Sequence, residues 1–322
     1  MPKKRRRRGI RRPKLRWILA FCGLLPMLLM LLGIWYANSK FNQIEKIPVS
    51  SVLSPAGGGG TNYLIVGSDS REAVADAGSS DPNVQPGGDA PGGQRSDTML
   101  VLRVERSGAK ILSIPRDLFV TNAATGEGGR INAAFNGGPA NLIQTIQQNL
   151  DIPVHRYIEV DFVTFSSLVD ALGGITLGPD VIPCAAQDPQ SGLNIAQGGP
   201  VTLDGATALA FVRSRHYTDC NGTDPTGDLG RITRQQAFLR TVMAKAGGSR
   251  NPFTLLKVAS SVTHGLRVDD GMGLFDGMRF AWRMGRLNPV AVPLPVVPRT
   301  TSGGAAVLDL RDDAPAALDQ FR

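Results

Sequence analysis

Nucleophilic and metal-thiolate chemistry have little to work with in this chain. Its three histidines, His155, His216 and His264, lie far apart, and Cys22, Cys184 and Cys220 lack any zinc-type spacing. There is no Gly-x-Ser-x-Gly elbow, no Gly-x-x-x-x-Gly-Lys-Ser/Thr phosphate loop and no His-Glu-x-x-His pair. A triad hydrolase, a P-loop nucleotidase and a zinc peptidase are thereby excluded. The run Gly57 to Gly60 lies outside a strand-to-helix context and reads as linker. Of the histidines, His216 alone sits among other polar motif residues, beside Arg215.

Distributed basic charge is also missing, although the formal net charge is +8. Residues 1 to 16 carry ten Lys or Arg and no acid, and removing them leaves 25 basic against 27 acidic side chains, a net −2. The basicity is a local tail, so the body of the protein is not expected to bind nucleic acid.

From Trp17 to Tyr36 no residue is charged, and Leu, Met and Ile dominate. Twenty helical residues at about 1.5 Å each match the roughly 30 Å hydrocarbon layer, so a transmembrane helix is expected over 17–36. The charge excess before it, against Lys40 and Lys46 after it, puts the amino terminus in the cytoplasm and the rest outside. A cleaved signal peptide is the alternative, but its apolar core is shorter and ends in small residues, unlike Ile34-Trp35-Tyr36. Cys22 lies in this run as a small apolar residue. Cys184 and Cys220 are expected to pair in the oxidising exterior, with two free thiols as the alternative.

Residues 37–61 read as a flexible tether and 62–322 as one extracytoplasmic domain, a small separate unit after Gly247-Gly248 being the alternative. Strands are predicted at Tyr63 to Val66, Thr98 to Val104, Lys110 to Ile114 and Tyr157 to Val160. Residues 72 to 94 read as a surface loop. Helices are predicted after Pro139, from Phe162 to Leu172 with a stop at Gly173-Gly174, after a cap at Asp204, and from Ile232 to Ala246. A further helical stretch is expected over Leu255 to Arg286, followed by an apolar segment at Val290 to Val297; residues 312–322 form a short closing helix or a frayed tail. Strands alternating with helices indicate a layered α/β domain.

The remaining strong polar residues fall into short motifs at the ends of these apolar runs, where an α/β fold gathers loop residues at one sheet edge. They are Gly67-Ser68-Asp69-Ser70-Arg71, Arg95-Ser96-Asp97-Thr98, Ser113-Ile114-Pro115-Arg116-Asp117, Arg213-Ser214-Arg215 and Asp228-Leu229-Gly230-Arg231, the last running into Arg234-Gln235-Gln236. Arginine forks bind phosphate oxygens and paired carboxylates hold a hard cation, so the set suits a phosphorylated, metal-bridged ligand. A surface ion-pair network involving Asp117 and Asp228 is the plain alternative.

In order and wording these motifs resemble the LytR-CpsA-Psr family, bacterial membrane-anchored enzymes that attach glycopolymers to the cell wall. The resemblance runs from about Asn62 to Ala246, with Arg130-Ile131-Asn132-Ala133-Ala134-Phe135, Asp170-Ala171-Leu172-Gly173-Gly174 and Leu203-Asp204-Gly205 as further landmarks. It implies a layered α-β-α domain with a central mixed sheet, preceded by one transmembrane helix. It also implies Mg²⁺, with Mn²⁺ as substitute, on Asp69 and Asp97, and pyrophosphate contacts from Arg95, Arg116, Arg213, Arg215, Arg231 and Gln235. Arg71 and Arg130 occupy motif positions too, although the family usually has Lys at the second, so Arg130 changes the geometry. Arg116 joins Asp117 and Asp228 as the catalytic set, with Asp228 orienting the arginines or taking a proton and Asp117 the other candidate base.

The implied activity is transfer of a glycan from a polyprenyl-pyrophosphate lipid to peptidoglycan at the cell membrane, with release of polyprenyl phosphate. The polymer is of the teichoic acid, capsule or arabinogalactan class. Usage rich in Gly, Ala, Arg and Asp points to an actinobacterial source and so to arabinogalactan. Rival readings are a polyprenyl-pyrophosphate hydrolase and a lipid-pyrophosphate-binding regulator without turnover.

Overall fold

The computed structural model describes residues 32–68, 96–248, 265–284, 286–287 and 289–322. The basic tail, most of the apolar run 17–36 and the expected loop 72–94 lie outside them, and no helix among the described residues is long and apolar enough to cross a membrane. Seven strands, β1 (Glu45–Ile47), β2 (Thr61–Ser68), β3 (Ser96–Val104), β4 (Ala109–Ile114), β5 (Arg156–Asp161), β6 (Leu266–Asp269) and β7 (Val290–Val292), build one sheet. Its order is β1-β6-β5-β2-β3-β4-β7. The pairs β2/β3, β3/β4 and β5/β6 are antiparallel, while β1/β6, β2/β5 and β4/β7 are parallel, so the sheet is mixed.

Alternation along β2 divides the molecule into layers. Leu64 and Val66 point to one face, where they meet Leu142, Ile143, Ile146 and Leu150 of helix α1 (Pro139–Leu150). Each of these α1 side chains is fully buried, and truncation of any one to Ala would cost about 2–5 kcal/mol. Tyr63 and Ile65 point to the other face, toward α2 (Phe162–Ala171), α3 (Gly205–Arg213), α4 (Asp228–Gly248) and α5 (Leu274–Met284) or the clusters these pack on. Asp161 and Asp204 cap α2 and α3 by accepting the N–H groups of Thr164 and Thr207 at 2.7 and 2.8 Å. Gly173 and Gly174, both with left-handed φ, stop α2, and Lys245 near the end of α4 donates to their carbonyls at 3.2 and 2.6 Å.

The expected tether differs from what forms. Ile44, Ile47 and Val49 are buried, and β1 pairs in parallel with β6, so the folded unit begins well before Thr61. Its register is fixed by charge: Arg267 of β6 stands opposite Glu45 on one side and Glu159 on the other, at 2.8 and 3.1 Å. Glu159 is completely buried and also accepts the Tyr157 hydroxyl at 2.9 Å. Burial, together with the Glu159 carboxylate, pushes the Tyr157 hydroxyl well above its ordinary pKa.

The helical stretch expected over Leu255 to Arg286 also differs in its described part. Leu266–Asp269 is a strand inserted between β1 and β5, and the helix is confined to Leu274–Met284. A four-residue strand is too short to show period-two alternation, and its place is set by partners far away in sequence. The apolar segment after Val290 gives β7 and a strand Val296–Thr300 paired with Ala306–Leu310. Residues Ala314–Leu318 form the short closing helix, and Ala314, Leu318 and Phe321 enter the same core as Leu64. Asn62 at the start of β2 donates to the Phe321 carbonyl at 2.6 Å. This part of the chain therefore shares a core with β2.

Candidate functional site

The end of β2, the start of β3, the turn after β4, the first turn of α2, the last turn of α3 and the first turns of α4 surround one cavity of about 430 Å³. One part of its wall is apolar, with Phe165, Leu168, Val212, Phe238, Leu239 and Val242. The other part carries Arg116, Arg213, Arg215, Arg231 and Gln235, five positions named from sequence. His216 lines it as well. Arg231 and Gln235 share one face because they are four residues apart on α4. Such a cavity offers both hydrocarbon contact and fork-shaped cationic groups.

The arginines are held by specific neighbours. Arg213 lies over the Phe162 ring at 4.7 Å. The Gln235 amide donates to the Thr98 hydroxyl at 3.0 Å and to the Val212 carbonyl at 2.9 Å, tying α4 to β3 and α3. Gln236 donates to Ser113 of β4 at 2.8 Å, which fixes the same helix on the sheet. At the strand end, Gly67 is crowded by Thr98, whose Cβ would lie 3.3 Å from any added Cβ.

Sequence reasoning missed the residue that shapes the arginine turn. Asp188, on the short strand Ala186–Asp188, is buried, and its Oδ2 accepts the Ser214 hydroxyl at 2.7 Å and the N–H groups of Arg215 and His216 at 3.0 Å each. Its Oδ1 accepts the Gln190 N–H at 3.0 Å. Burial alone would raise this carboxyl, but the hydrogen bonds from Ser214, His216, Gln190 and Arg215 outweigh it and hold the pKa below the usual range. Arg234 holds the turn from the other side, donating to the Ser214 carbonyl at 2.8 Å and pairing with Asp224 at 2.7 Å. Its guanidinium also covers the Tyr217 ring at 4.7 Å.

The Cys184–Cys220 disulfide, with Cα atoms 6.1 Å apart, crosses this same small sheet. It joins the chain just before Ala186–Asp188 to the end of the paired strand Thr218–Asp219. The expected pairing of the two cysteines is therefore present. Among the described residues, Cys184, Asp219 and Cys220 are the one group clustered as a metal site would be, but two bonded sulfurs offer no thiolate.

Asp117 and Arg130 lie off the cavity wall. Asp117 stands 3.6 Å from Arg116 and 3.4 Å from Arg130, and Arg130 also donates twice to the Ala306 carbonyl, at 3.0 and 2.8 Å. Asp69, Arg71 and Arg95 lie outside the described residues. Asp97 and Asp228 are described in backbone only, near the start of β3 and at the first position of α4. Ser68, which precedes Asp69, pairs in register with Ser96, which precedes Asp97. The Ser68 hydroxyl is buried with no hydrogen-bond partner among the described residues. A buried hydroxyl oxygen without a partner at this strand edge, in the chain just before Asp69, fits a hard divalent cation rather than a soft one.

Comparison with known proteins places this geometry. The model of the LytR_cpsA_psr family matches residues 35–287. The chain is 33% identical over 292 residues to a probable cell wall biosynthesis protein, LcpB, of Corynebacterium glutamicum, covering 88% of this chain and 65% of that protein. It is 34% identical over 154 residues to the polyisoprenyl-teichoic acid–peptidoglycan teichoic acid transferase TagU of Bacillus cereus, covering 47% of each. The chain thus spans less than two thirds of the length of either relative. Its fold matches a LytR-Csp2A-Psr enzyme from Actinomyces oris with a TM-score of 0.69 at 23% identity, over 86% of this chain and 95% of the other. The Corynebacterium relative agrees with the actinobacterial source read from composition.

Proposed function

Because the chain belongs to the LytR_cpsA_psr family, we propose that it is a phosphotransferase that moves a glycan from a polyprenyl-pyrophosphate carrier onto a hydroxyl of peptidoglycan. The observation that carries this reading is a single cavity lined both by apolar Phe, Leu and Val side chains and by four arginines. A lipid diphosphate combines the same two chemistries, a prenyl chain and two phosphates. The names of the relatives, one a cell wall biosynthesis protein and one a teichoic acid transferase, support the same class of donor and acceptor.

In this reading the prenyl chain lies against Phe165, Phe238 and Val242, and the diphosphate meets Arg116, Arg213, Arg215 and Arg231. The acceptor oxygen attacks the sugar-linked phosphorus, and the bond from that phosphorus to the bridging oxygen breaks. Polyprenyl phosphate leaves with the bridging oxygen, and the acceptor proton passes to Asp228 or to the leaving phosphate. Planar guanidinium forks stabilise the charge that grows on the leaving group, and phosphoryl transfer asks little more of a protein. Asp69 and Asp97 would hold Mg²⁺, with Mn²⁺ as substitute, and the ion supplies neutralisation of phosphate charge when bound. A membrane anchor over residues 17–36 would keep the site where its lipid donor is.

The test is transfer from a defined lipid-pyrophosphate glycan onto peptidoglycan, with and without Mg²⁺. Asp97→Ala is expected to abolish Mg²⁺-dependent product. Arg213→Lys and Arg215→Lys keep charge and lose the fork, so each should slow transfer by roughly ten- to a thousand-fold. Wild-type rates in folded Lys variants would overturn the reading. Release of free phosphoglycan in place of wall-linked product would favour the hydrolase, with water as the acceptor.

A further inference from the structure

Helix α5 carries apolar side chains on two opposite faces. Phe280 turns inward onto Tyr63, with ring centroids 4.6 Å apart, and packs on the cluster that also receives Ile65 and Leu239 of the cavity wall. Phe275, Met278 and Trp282 fall on the other side at spacings of three and four, and are 68, 55 and 59% exposed. Three large apolar side chains in a row on one helical ridge are not the ordinary surface of a solvated helix.

The flank of the ridge is cationic. Arg279 and Arg286 are exposed beside it, and the Arg286 guanidinium sits over the Trp282 ring at 4.0 Å. The acid of this helix, Asp276, points instead toward Arg156, 3.8 Å away. Phe and Trp on one face with Arg along its edge is the pattern of a helix lying in a lipid headgroup layer.

The chain order supplies the second argument. Phe41 packs against α5 at Gly277, where an added Cβ would come within 2.8 Å of its ring. Phe41 ends a helical stretch, 32–41, that exposes Trp35 and Tyr36 at 68 and 45%. That stretch directly continues the uncharged run that begins at Trp17. Helix α5 is therefore joined, through its inward face, to the one segment of the sequence built to meet hydrocarbon.

We propose that Phe275, Met278 and Trp282 of α5, together with Trp35 and Tyr36, seat in the headgroup layer of an anionic membrane, with Arg279 and Arg286 on its phosphates. This contact fixes how the domain sits on the bilayer, with the cavity residues Ile65 and Leu239 behind the docked helix. It is independent of the reaction proposed above.

The experiment uses the full chain and its Trp282→Phe variant, each reconstituted in liposomes containing phosphatidylglycerol brominated high in the acyl chains. The difference in emission between the two reads Trp282 alone. The Trp282 signal is expected to fall at least about twofold with brominated lipid, and less in pure phosphatidylcholine or high salt. A Phe275→Ser, Met278→Ser double variant should lose that quenching with an unchanged melting temperature. Trp282 emission indifferent to bromination in anionic liposomes would overturn the proposal. Iodide would then separate a solvated ridge from one covered by protein, and cross-linking through Met278→Cys would identify a second copy as the cover; either result also overturns it.

Discussion

Asp188 accepts the backbone N–H of Arg215 at 3.0 Å across 27 residues of chain, so a buried carboxylate dictates where a cavity arginine begins. The side chain itself does not line up with any motif. It lines the cavity itself and also shapes the turn, through the Ser214 hydroxyl and the backbone N–H groups of Arg215 and His216.

Asp188→Asn should therefore lower transfer about 10- to 100-fold, since the amide turns a donor toward groups that are donors and leaves at least one of them unsatisfied. The measurement is steady-state transfer beside thermal melting. A loss of melting temperature without loss of transfer would show that Asp188 supports the fold alone. Because its folded pKa is depressed, its contribution to stability is complete above the ordinary carboxylate value of about 3.9 and disappears as pH falls through the lower folded value.

Arg267→Met should destabilise the protein by about 3–5 kcal/mol, because Glu159 would remain fully buried with its charge partner gone. Urea denaturation measures it. Arg267→Met combined with Glu159→Gln should recover much of the loss, since no uncompensated buried charge remains.

His155 gives a pH dependence of its own. Burial first, and then Arg103 and Arg156, hold its pKa below the ordinary value, and its Nδ1 accepts the Asn62 N–H at 2.9 Å. The unfolded chain therefore takes up a proton at this residue before the folded one does. Stability should decline as pH drops from above the ordinary histidine value of about 6.5 toward the folded value, then level off. Melting between pH 5 and 8 should show a shallower acid slope for His155→Gln than for the parent.

Reduction of Cys184–Cys220 should lower stability by about 4 kcal/mol on the chain-entropy model for its separation of 36 residues, which is roughly 10 °C in melting temperature. Scanning calorimetry with and without dithiothreitol reads the shift. Transfer by the reduced protein, assayed well below its melting point, should fall too, because the bridge holds the strand of Asp188 against the strand that follows the arginine turn.

Much of the scaffold was legible because its signals are local. A short continuous apolar run marks Tyr63 to Val66, the Asp204 cap announces α3, Gly173-Gly174 ends α2, and α4 shows its apolar face for four turns. Arg116, Arg213, Arg215, Arg231 and Gln235 were legible as motif residues, and the fold brings all five to one cavity. Asp188 was not, because it lies on a three-residue strand amid polar loop sequence and meets Ser214 only through tertiary pairing. Strands β1 and β6 were missed for a related reason: each has three or four residues, and what defines them is the Glu45–Arg267–Glu159 ladder, whose members are more than a hundred residues apart in two of its steps. Phe162 read as an ordinary helix residue, and nothing in sequence marks the ring that carries Arg213.

The bond from Asn62 to the Phe321 carbonyl bears on how such a chain is made. The layer that covers Leu64 and Val66 takes Ile47 from one end and Ala314, Leu318 and Phe321 from the other. A ribosome that has delivered the first three hundred residues has thus delivered a sheet whose α1-covered face still lacks Ala314, Leu318 and Phe321. That part of the apolar face stays wet and adhesive until these residues arrive, so the domain closes only once residue 321 has been made, and the waiting interval is where a chaperone would matter.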